Sequence, residues 1–173
     1  TMYSVLVVSD SHGLTKELDD IKAKHNVTEM IHCGDSELKE SASQLTGFNV
    51  VQGNCDWNGR FPEEEIIEIG NLRFYVTHGH LYGVKQSLMK LQYRALEVEA
   101  DVVCYGHSHI AFAEKIGDQL FINPGSIRSP KKFVERSYAI VEWDDRSKVN
   151  VHFYNLSGEK ITSFPYANQF NLK

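Results

Sequence analysis

Residues 5–12 read Val-Leu-Val-Val-Ser-Asp-Ser-His, so a short apolar run passes directly into a carboxylate and an imidazole. Four further apolar runs also end in residues that can hold a metal ion, within 29–35, 50–54, 74–78 and 102–109. Ligands of open α/β sheets bind just outside the carboxyl ends of the strands. We therefore expect the five run ends to meet at one edge and form a metal site.

The first half of the chain alternates apolar runs with helical patterns. One helical pattern runs from about Leu14 to His25, and another runs from about Ser36 to Leu45. Such alternation indicates βαβ units with parallel strands. A further amphipathic pattern, from Lys85 to about Glu99, predicts a longer helix.

The second half is typical of consecutive strands separated by turns. We predict strands at 110–116, 119–123, 138–143, 149–154 and 161–164. Meandering strands after βαβ units predict an α/β fold, namely a two-sheet β-sandwich of mixed strands flanked by helices. The 173 residues suit one domain, 1–173, with a sizeable core.

Composition and charge argue against nucleic-acid and membrane partners and favour a reducing compartment. The formal net charge is −5 without a long basic run, which disfavours a nucleic-acid partner. No apolar run is long enough to span a bilayer, and no signal peptide is evident, so we expect no membrane partner. Three cysteines without a repeated spacing predict a reducing, cytoplasmic compartment.

The residue types at the run ends favour transition metals. Asp10 and His12 are two residues apart, which places both side chains on one side of an extended backbone, and His107 and His109 repeat that spacing. Carboxylate oxygen with imidazole nitrogen suits Mn, Fe, Co, Ni or Zn better than Ca²⁺. Each fragment alone is also typical of an ordinary turn or a solvated strand end, so only their ordered joint occurrence indicates a site.

The five run ends together supply seven candidate ligands. This is more than one ion can bind, and it suits two ions that share a carboxylate. Together the motifs resemble those of the calcineurin-like metallophosphoesterases, whose pattern is Asp-x-His, Gly-Asp, Gly-Asn-His-(Asp/Glu), a strand-end His and Gly-His-x-His. The matching stretches are Asp10-Ser11-His12, Gly34-Asp35, Gly53-Asn54-Cys55-Asp56, His78 and Gly106-His107-Ser108-His109. The chain is most similar to the compact bacterial and archaeal phosphodiesterase branch, to which the retromer subunit of similar size is related. Residues 123–126 resemble a further turn of its small members.

The resemblance implies a four-layer α/β/β/α fold and two divalent metal ions, foremost manganese, with zinc, iron, nickel or cobalt as alternatives. It implies Asp10, His12 and His109 on one ion, Asn54, His78 and His107 on the other, and Asp35 bridging them. The implied activity is hydrolysis of a small phosphate ester, foremost a diester, by a hydroxide that bridges the ions. Asp35, Asn54 and His78 would act in catalysis through the metal and that hydroxide.

Cys55 departs from the family pattern, which has histidine at this position. A thiol is a weak hydrogen-bond donor, so the histidine's assistance to the leaving group cannot be carried over. We expect Cys55 to steer the choice of substrate, toward esters with good leaving groups. The following loop, 56–62, is either a wall over the metals, through Trp57 and its neighbours, or an ordinary surface loop. His32 and His80 are expected to be structural rather than ligands.

Two other functions share this pattern. A non-catalytic protein-binding scaffold would keep the fold and lose part of the ligand set, whereas all seven ligand positions are filled here. A nuclease would need a basic groove, which the acidic composition does not support. The sequence therefore favours a hydrolase that acts on a small phosphate ester, and it leaves homo-oligomerisation open.

Overall fold

The apolar runs form two mixed β-sheets in the computed structural model, which describes residues 1–173. The strands are β1 (Tyr3–Val8), β2 (Glu29–His32), β3 (Phe48–Val50), β4 (Glu64–Ile69), β5 (Leu72–Thr77), β6 (Val102–Cys104), β7 (Phe112–Ile116), β8 (Gln119–Asn123), β9 (Tyr138–Trp143), β10 (Val149–Tyr154), β11 (Lys160–Ile161) and β12 (Gln169–Phe170). The helices are α1 (Lys16–Lys24) and α2 (Met89–Glu97), with short 3-10 helices at Ser43–Leu45 and His80–Tyr82. No helix is both long and apolar enough for a membrane crossing.

Parallel strands occupy the part of each sheet that carries the motifs. The larger sheet has the order β11-β10-β9-β1-β2-β3, with β12 also paired to β10, and its β1, β2 and β3 are parallel. The smaller sheet has the order β4-β5-β6-β8-β7, and its β5, β6 and β8 are parallel. Five motif-bearing strands therefore send their carboxyl ends toward one side of the molecule.

Alternation along the strands separates an inner core from two outer ones. Val5 and Val7 belong to the core between the sheets, whereas Leu6 and Val8 pack with Leu18 of α1. On the smaller sheet, the outward-facing residues pack with α2 through Tyr75, Val103, Phe121, Leu91 and Ala95. Burying a side chain such as Leu18 stabilises the fold by about 1.5–3 kcal/mol. The layers are helix, sheet, sheet and helix, which confirms the predicted four-layer sandwich.

The predicted helix from Ser36 to Leu45 is wrong. Only Ser43–Leu45 is helical, as a single 3-10 turn. Asp35 and Glu37 have left-handed φ values of 58° and 56°, which an α-helix cannot contain. Their amides donate to the Asp56 carboxylate rather than to backbone carbonyls. A contact from a distant segment therefore replaces the helix.

Other elements are shorter than predicted. Helix α2 begins at Met89 rather than Lys85, since the Gln86 and Ser87 amides donate to the carbonyl of left-handed Gly83 in a separate turn ahead of it. The last predicted strand, 161–164, shrinks to Lys160–Ile161 because Phe164 turns into the core between the sheets.

Strand β4 was missed by the sequence analysis. It forms an antiparallel hairpin with β5 around Gly70 and Asn71, and Gly70 has a φ of 58°. A glycine–asparagine pair between two apolar runs is a hairpin signal that would have identified the strand.

Candidate metal centre

The strand ends bring six of the seven predicted ligands into close contact, all except His107. Asp10 and His78 are fully buried, and Asp35 is nearly so. His12 and His109 are partly buried. Ligand atoms lie within 4.8 Å of one another in two sets, Asp10 with His12 and His109, and Asp10 with Asp35 and His78. Asn54 Oδ1, from the third run, lies 3.0 Å from His78 Nε2, so the expected meeting of all five run ends is present in the fold.

One carboxylate oxygen at the centre has no hydrogen-bond partner. Asp10 Oδ1 is buried and lies 3.2 Å from His109 Nε2, 3.7 Å from His12 Nε2 and 3.8 Å from His78 Nε2. The other oxygen, Oδ2, accepts hydrogen bonds from the Ser9 hydroxyl and the His107 amide. Leaving a buried charged oxygen without a partner is costly. The three surrounding imidazoles and this oxygen therefore fit a divalent cation.

Each of three imidazoles is anchored through its Nδ1 atom, at 2.7 Å. The acceptors are Glu37 Oε1 for His12, the Cys33 carbonyl for His78 and the Ser129 carbonyl for His109. A carbonyl can only accept, so Nδ1 carries the proton in the last two rings and Nε2 is left as the ligand atom. Such anchoring is typical of metal-binding histidines.

Asp35 lies between two groups of nitrogen and oxygen atoms. Its Oδ2 is 3.1 Å from His78 Nε2 and 3.9 Å from His12 Nε2. Its Oδ1 accepts the Cys55 amide at 2.8 Å, which fixes the carboxylate plane. Asn54 Oδ1 lies 3.0 Å from His78 Nε2, on the same side. The position of Asp35 between His12 and His78 suits a carboxylate shared by two cations.

His107 lies at the border of the centre. Its ring centroid is 5.1 Å from that of His78 and 6.1 Å from that of His80, and its side chain makes no hydrogen bond. It is absent from the tight ligand sets. Burial, with the charges of His78 and Lys85, lowers the pKa of His107 to about 4, so the ring is neutral at neutral pH. A neutral imidazole is the form that binds a metal.

The close contact of Asp10 with the imidazoles shifts the pKa values of Asp10 and His12 in opposite directions. Burial opposes ionisation of Asp10, but the close His109 and His12 rings overcome it and keep the pKa of Asp10 well below its usual range. Contact with Asp10 raises the pKa of His12 to about 9 against the effect of burial, and Glu37 adds to the rise. A cation that binds at His12 must therefore displace its proton.

The backbone at the centre is in an uncommon conformation. Non-glycine residues rarely adopt a positive φ. Five predicted ligands do so, with φ values of 54° at Asp10, 41° at His12, 58° at Asp35, 69° at His107 and 60° at His109. Backbone strain of this kind concentrates at functional sites. The local conformation turns these side chains inward, at a cost to folding.

Two glycines allow the loops to approach the carboxylates. A β-carbon at Gly53 would collide with the Asp35 carboxylate. One at Gly106 would collide with the Ser9 hydroxyl and lie 2.6 Å from Asp10 Oδ2. Any larger residue at either position would displace a candidate ligand.

Asp56 organises the centre, a role that the sequence analysis missed. Its buried carboxylate accepts the amides of Asp35 at 2.9 Å, Glu37 at 2.9 Å and Gly53 at 2.7 Å. It thereby joins the loop after β2 to the loop after β3. Its place directly after the Gly-Asn-Cys motif was the available signal.

Cys55 and the 56–62 loop, which are expected to influence the choice of substrate, differ in their surroundings. Cys55 Sγ lies within 4.8 Å of ligand atoms of His12 and Asp35. Burial and the acidic side chains of Asp35 and Glu37 raise the pKa of the Cys55 thiol, so it stays protonated. In the 56–62 loop, Trp57 is 85% exposed, whereas Phe61 packs against the outer core of the larger sheet. Phe61 therefore supports the fold rather than a wall over the metals.

The two other histidines near the centre, His32 and His80, differ in their hydrogen bonding. His32 is fully buried, with Nε2 2.8 Å from the Ser11 hydroxyl and Nδ1 accepting the Gly34 amide. It supports the loop that carries Asp35. The His80 ring lies beside that of His78, with 5.4 Å between the ring centroids and a tilt of 57°. Its buried Nδ1 has no hydrogen-bond partner.

A family sequence profile and two named relatives all indicate the same family of phosphoesterases. The sequence profile described as calcineurin-like phosphoesterase superfamily domain matches residues 3–146. The probable metallophosphoesterase YsnB of Bacillus subtilis (strain 168) is 48% identical over 160 residues, which cover 91% of this chain and 94% of YsnB. Phosphodiesterase MJ0936 of Methanocaldococcus jannaschii is 33% identical over 141 residues, covering 69% of this chain and 81% of the relative.

A solved structure with high similarity to this chain is also described as a phosphoesterase. The crystal structure of a Streptococcus pneumoniae TIGR4 protein, described as a predicted phosphoesterase, superposes with a TM-score of 0.90. It is 36% identical in sequence, and the match covers 95% of each chain. The motifs, the layered fold and these relatives agree, and the chain belongs to the calcineurin-like phosphoesterase superfamily.

Proposed function

We propose that the chain is a metal-dependent phosphodiesterase that hydrolyses a small phosphate ester with two divalent cations. One cation would be held by Asp10, His12 and His109 and the other by Asn54, His78 and His107, with Asp35 shared. The observation that carries the proposal is the buried, unpartnered Asp10 Oδ1, which faces three imidazole nitrogens. We take residues 1–173 to act as one domain.

The chain's own residues prepare the centre for phosphoryl chemistry. When bound, the cations supply Lewis-acid polarisation of the phosphoryl oxygens and a water of lowered pKa. Nδ1 anchoring keeps the Nε2 atoms of His12, His78 and His109 in place. The Cys55 amide and the Asp56 carboxylate hold Asp35 and its loop. The centre is therefore preorganised, which avoids reorganisation during the reaction.

Two observations support a diester with a good leaving group. The protonated Cys55 thiol near His12 and Asp35 is a weak donor and cannot replace a histidine acid. The relative MJ0936 carries the name phosphodiesterase. We propose a divalent metal, foremost manganese, with zinc, iron, nickel or cobalt as alternatives, because mixed carboxylate, amide and imidazole ligands suit this group of metals. The three free cysteines are in keeping with a reducing, cytoplasmic location.

Hydrolysis by chelator-stripped protein tests the proposal. We expect no turnover of bis-p-nitrophenyl phosphate until Mn²⁺ is added back, and slower cleavage of p-nitrophenyl phosphate. Absence of turnover with every divalent metal, on protein that remains folded, would favour the scaffold alternative. The strained, anchored ligand set is the observation against that alternative, since protein binding alone does not require it.

Replacing Glu37 tests the anchoring of His12. Glu37→Ala removes the carboxylate 2.7 Å from His12 Nδ1 and is expected to weaken Mn²⁺ binding by about 10–100-fold. Titration calorimetry measures the affinity. Glu40→Ala, which removes an exposed carboxylate three residues away, serves as the control and should leave it unchanged.

Replacing Cys55 tests its influence on the substrate. Cys55→His introduces a proton donor beside His12 and Asp35, and we expect monoester cleavage to rise relative to diester cleavage by about tenfold or more. The ratio of kcat/KM values for p-nitrophenyl phosphate and its bis ester reports the change. Cys55→Ser keeps the size without the imidazole and should stay near the wild-type ratio. The same ratio in all three proteins would exclude a steering role.

A further inference from the structure

A pocket of about 480 Å³ lies beside the metal centre and takes no part in the chemistry described above. Its walls are mainly apolar and aromatic, from Val84, Leu88, Tyr105, Ile110 and Phe112. Pockets that bind small organic groups have this size and composition, with a few polar groups that fix orientation.

Several residues that line the pocket are direct neighbours of candidate metal ligands. Ser108 lines it and stands between His107 and His109. The amide of Lys131, another lining residue, donates to the His109 carbonyl at 3.0 Å. Val84 packs against Gly79, the residue after His78, since a β-carbon there would lie 2.8 Å from Val84 Cγ2. The pocket therefore borders the loops that carry His78, His107 and His109.

Three polar groups of the pocket have no partner within the protein. Lys85 and Lys131 are exposed, and their ammonium groups form no ion pair or hydrogen bond. Tyr105 is only 4% exposed, and its hydroxyl makes no hydrogen bond. In a chain of net charge −5, two unpaired lysines at one apolar pocket form a local positive site. Their charge is complementary to an anionic ligand.

We propose that this pocket receives the alcohol part of the ester, and that the preferred alcohol is a flat apolar ring bearing a second anionic group. The apolar walls would cover the ring, and Lys85 and Lys131 would face the additional charge. The inference rests on the proposed function, because the metal centre must hold the phosphate. It adds a substrate class, namely ring-bearing phosphate esters with a further negative charge.

Binding of two phosphate monoesters tests the ring preference. Titration calorimetry with Mn²⁺-loaded protein should show 1-naphthyl phosphate binding at least about tenfold more tightly than methyl phosphate, because the ring buries apolar surface. Ser87→Trp places an indole at the pocket's exposed rim and should remove most of that difference. Leu96→Trp, on the exposed side of α2 and outside the pocket, should keep it.

A sulfonated 1-naphthyl phosphate tests the second charge. Wild-type protein should bind it several-fold more tightly than 1-naphthyl phosphate itself. Lys85→Glu and Lys131→Glu should each abolish that preference, whereas Lys132→Glu, an adjacent exposed residue outside the pocket, should retain it. These surface changes leave the core intact, so they keep the test decisive if Ser87→Trp fails to fold.

The outcomes separate this inference from the proposed function. Equal affinities for naphthyl and methyl phosphate, with bis-p-nitrophenyl phosphate still hydrolysed, would overturn the pocket and leave the phosphodiesterase intact. A ring preference that survives Ser87→Trp in folded protein would also overturn the location. Ring- and lysine-dependent binding without any turnover would support the pocket and overturn the hydrolase.

Discussion

His78→Ala is expected to abolish nearly all hydrolysis while the fold is retained. The imidazole is fully buried, with Nε2 3.1 Å from Asp35 Oδ2 and Nδ1 on the Cys33 carbonyl. Losing one ligand of the proposed second cation is expected to remove several kcal/mol of charge stabilisation, which corresponds to about 10³-fold in kcat/KM. Steady-state hydrolysis of bis-p-nitrophenyl phosphate and metal analysis of the purified protein measure the two consequences.

A matched histidine controls for the loss of an imidazole. His152 lies on β10, away from the metal centre, and His152→Ala should keep full activity and both cations. Circular dichroism and thermal unfolding establish that His78→Ala is folded. Full activity of folded His78→Ala protein would contradict the proposed ligand set.

Asp56→Ala is expected to lower the free energy of unfolding by about 3–6 kcal/mol and to weaken metal binding. The substitution leaves the Asp35, Glu37 and Gly53 amides without their acceptor. The Asp35 and Gly53 amides are buried, and each unsatisfied buried donor costs about 1–3 kcal/mol, whereas the part-buried Glu37 amide adds less. Urea unfolding measures the stability of the metal-free protein, and Mn²⁺ titration measures the effect on the loops around Asp35.

An exposed aspartate provides the comparison for Asp56. Asp145 also accepts a backbone amide, from Ser147 at 2.9 Å, but it lies on the surface, where water replaces the lost partner. Asp145→Ala should cost less than about 1 kcal/mol. Similar losses for the two variants would mean that Asp56 does not hold the loops together.

The strand-end pattern could be predicted from the sequence because strand periodicity and ligand type are local properties. β8, β9 and β10 coincide with the predicted strands at 119–123, 138–143 and 149–154. The sheets place Asp10, Asp35, His12, His78 and His109 within a few ångströms of one another. Assignment of ions to these residues stays a prediction.

The remaining features depend on contacts between distant segments. The segment 36–45 has a helical pattern. The Asp56 carboxylate, however, accepts the Asp35 amide just before this segment and the Glu37 amide within it. No sequence pattern singles out Glu37, although in the fold its Oε1 lies 2.7 Å from His12 Nδ1. The pocket beside the centre is built from three parts of the chain, around Val84, Tyr105 and Lys131, and no local pattern indicates it.

The left-handed backbone at the centre bears on how this chain can change through mutation. Glycine adopts a positive φ freely, whereas other residues lose about 1 kcal/mol each in that conformation. Glycine at Asp10, His12, Asp35, His107 or His109 would relax the backbone and delete a candidate ligand. A lineage under selection for persistence of the fold alone would gain from such replacements. Five non-glycine residues at these positions are the stability–activity trade-off expected of a protein that uses the proposed site.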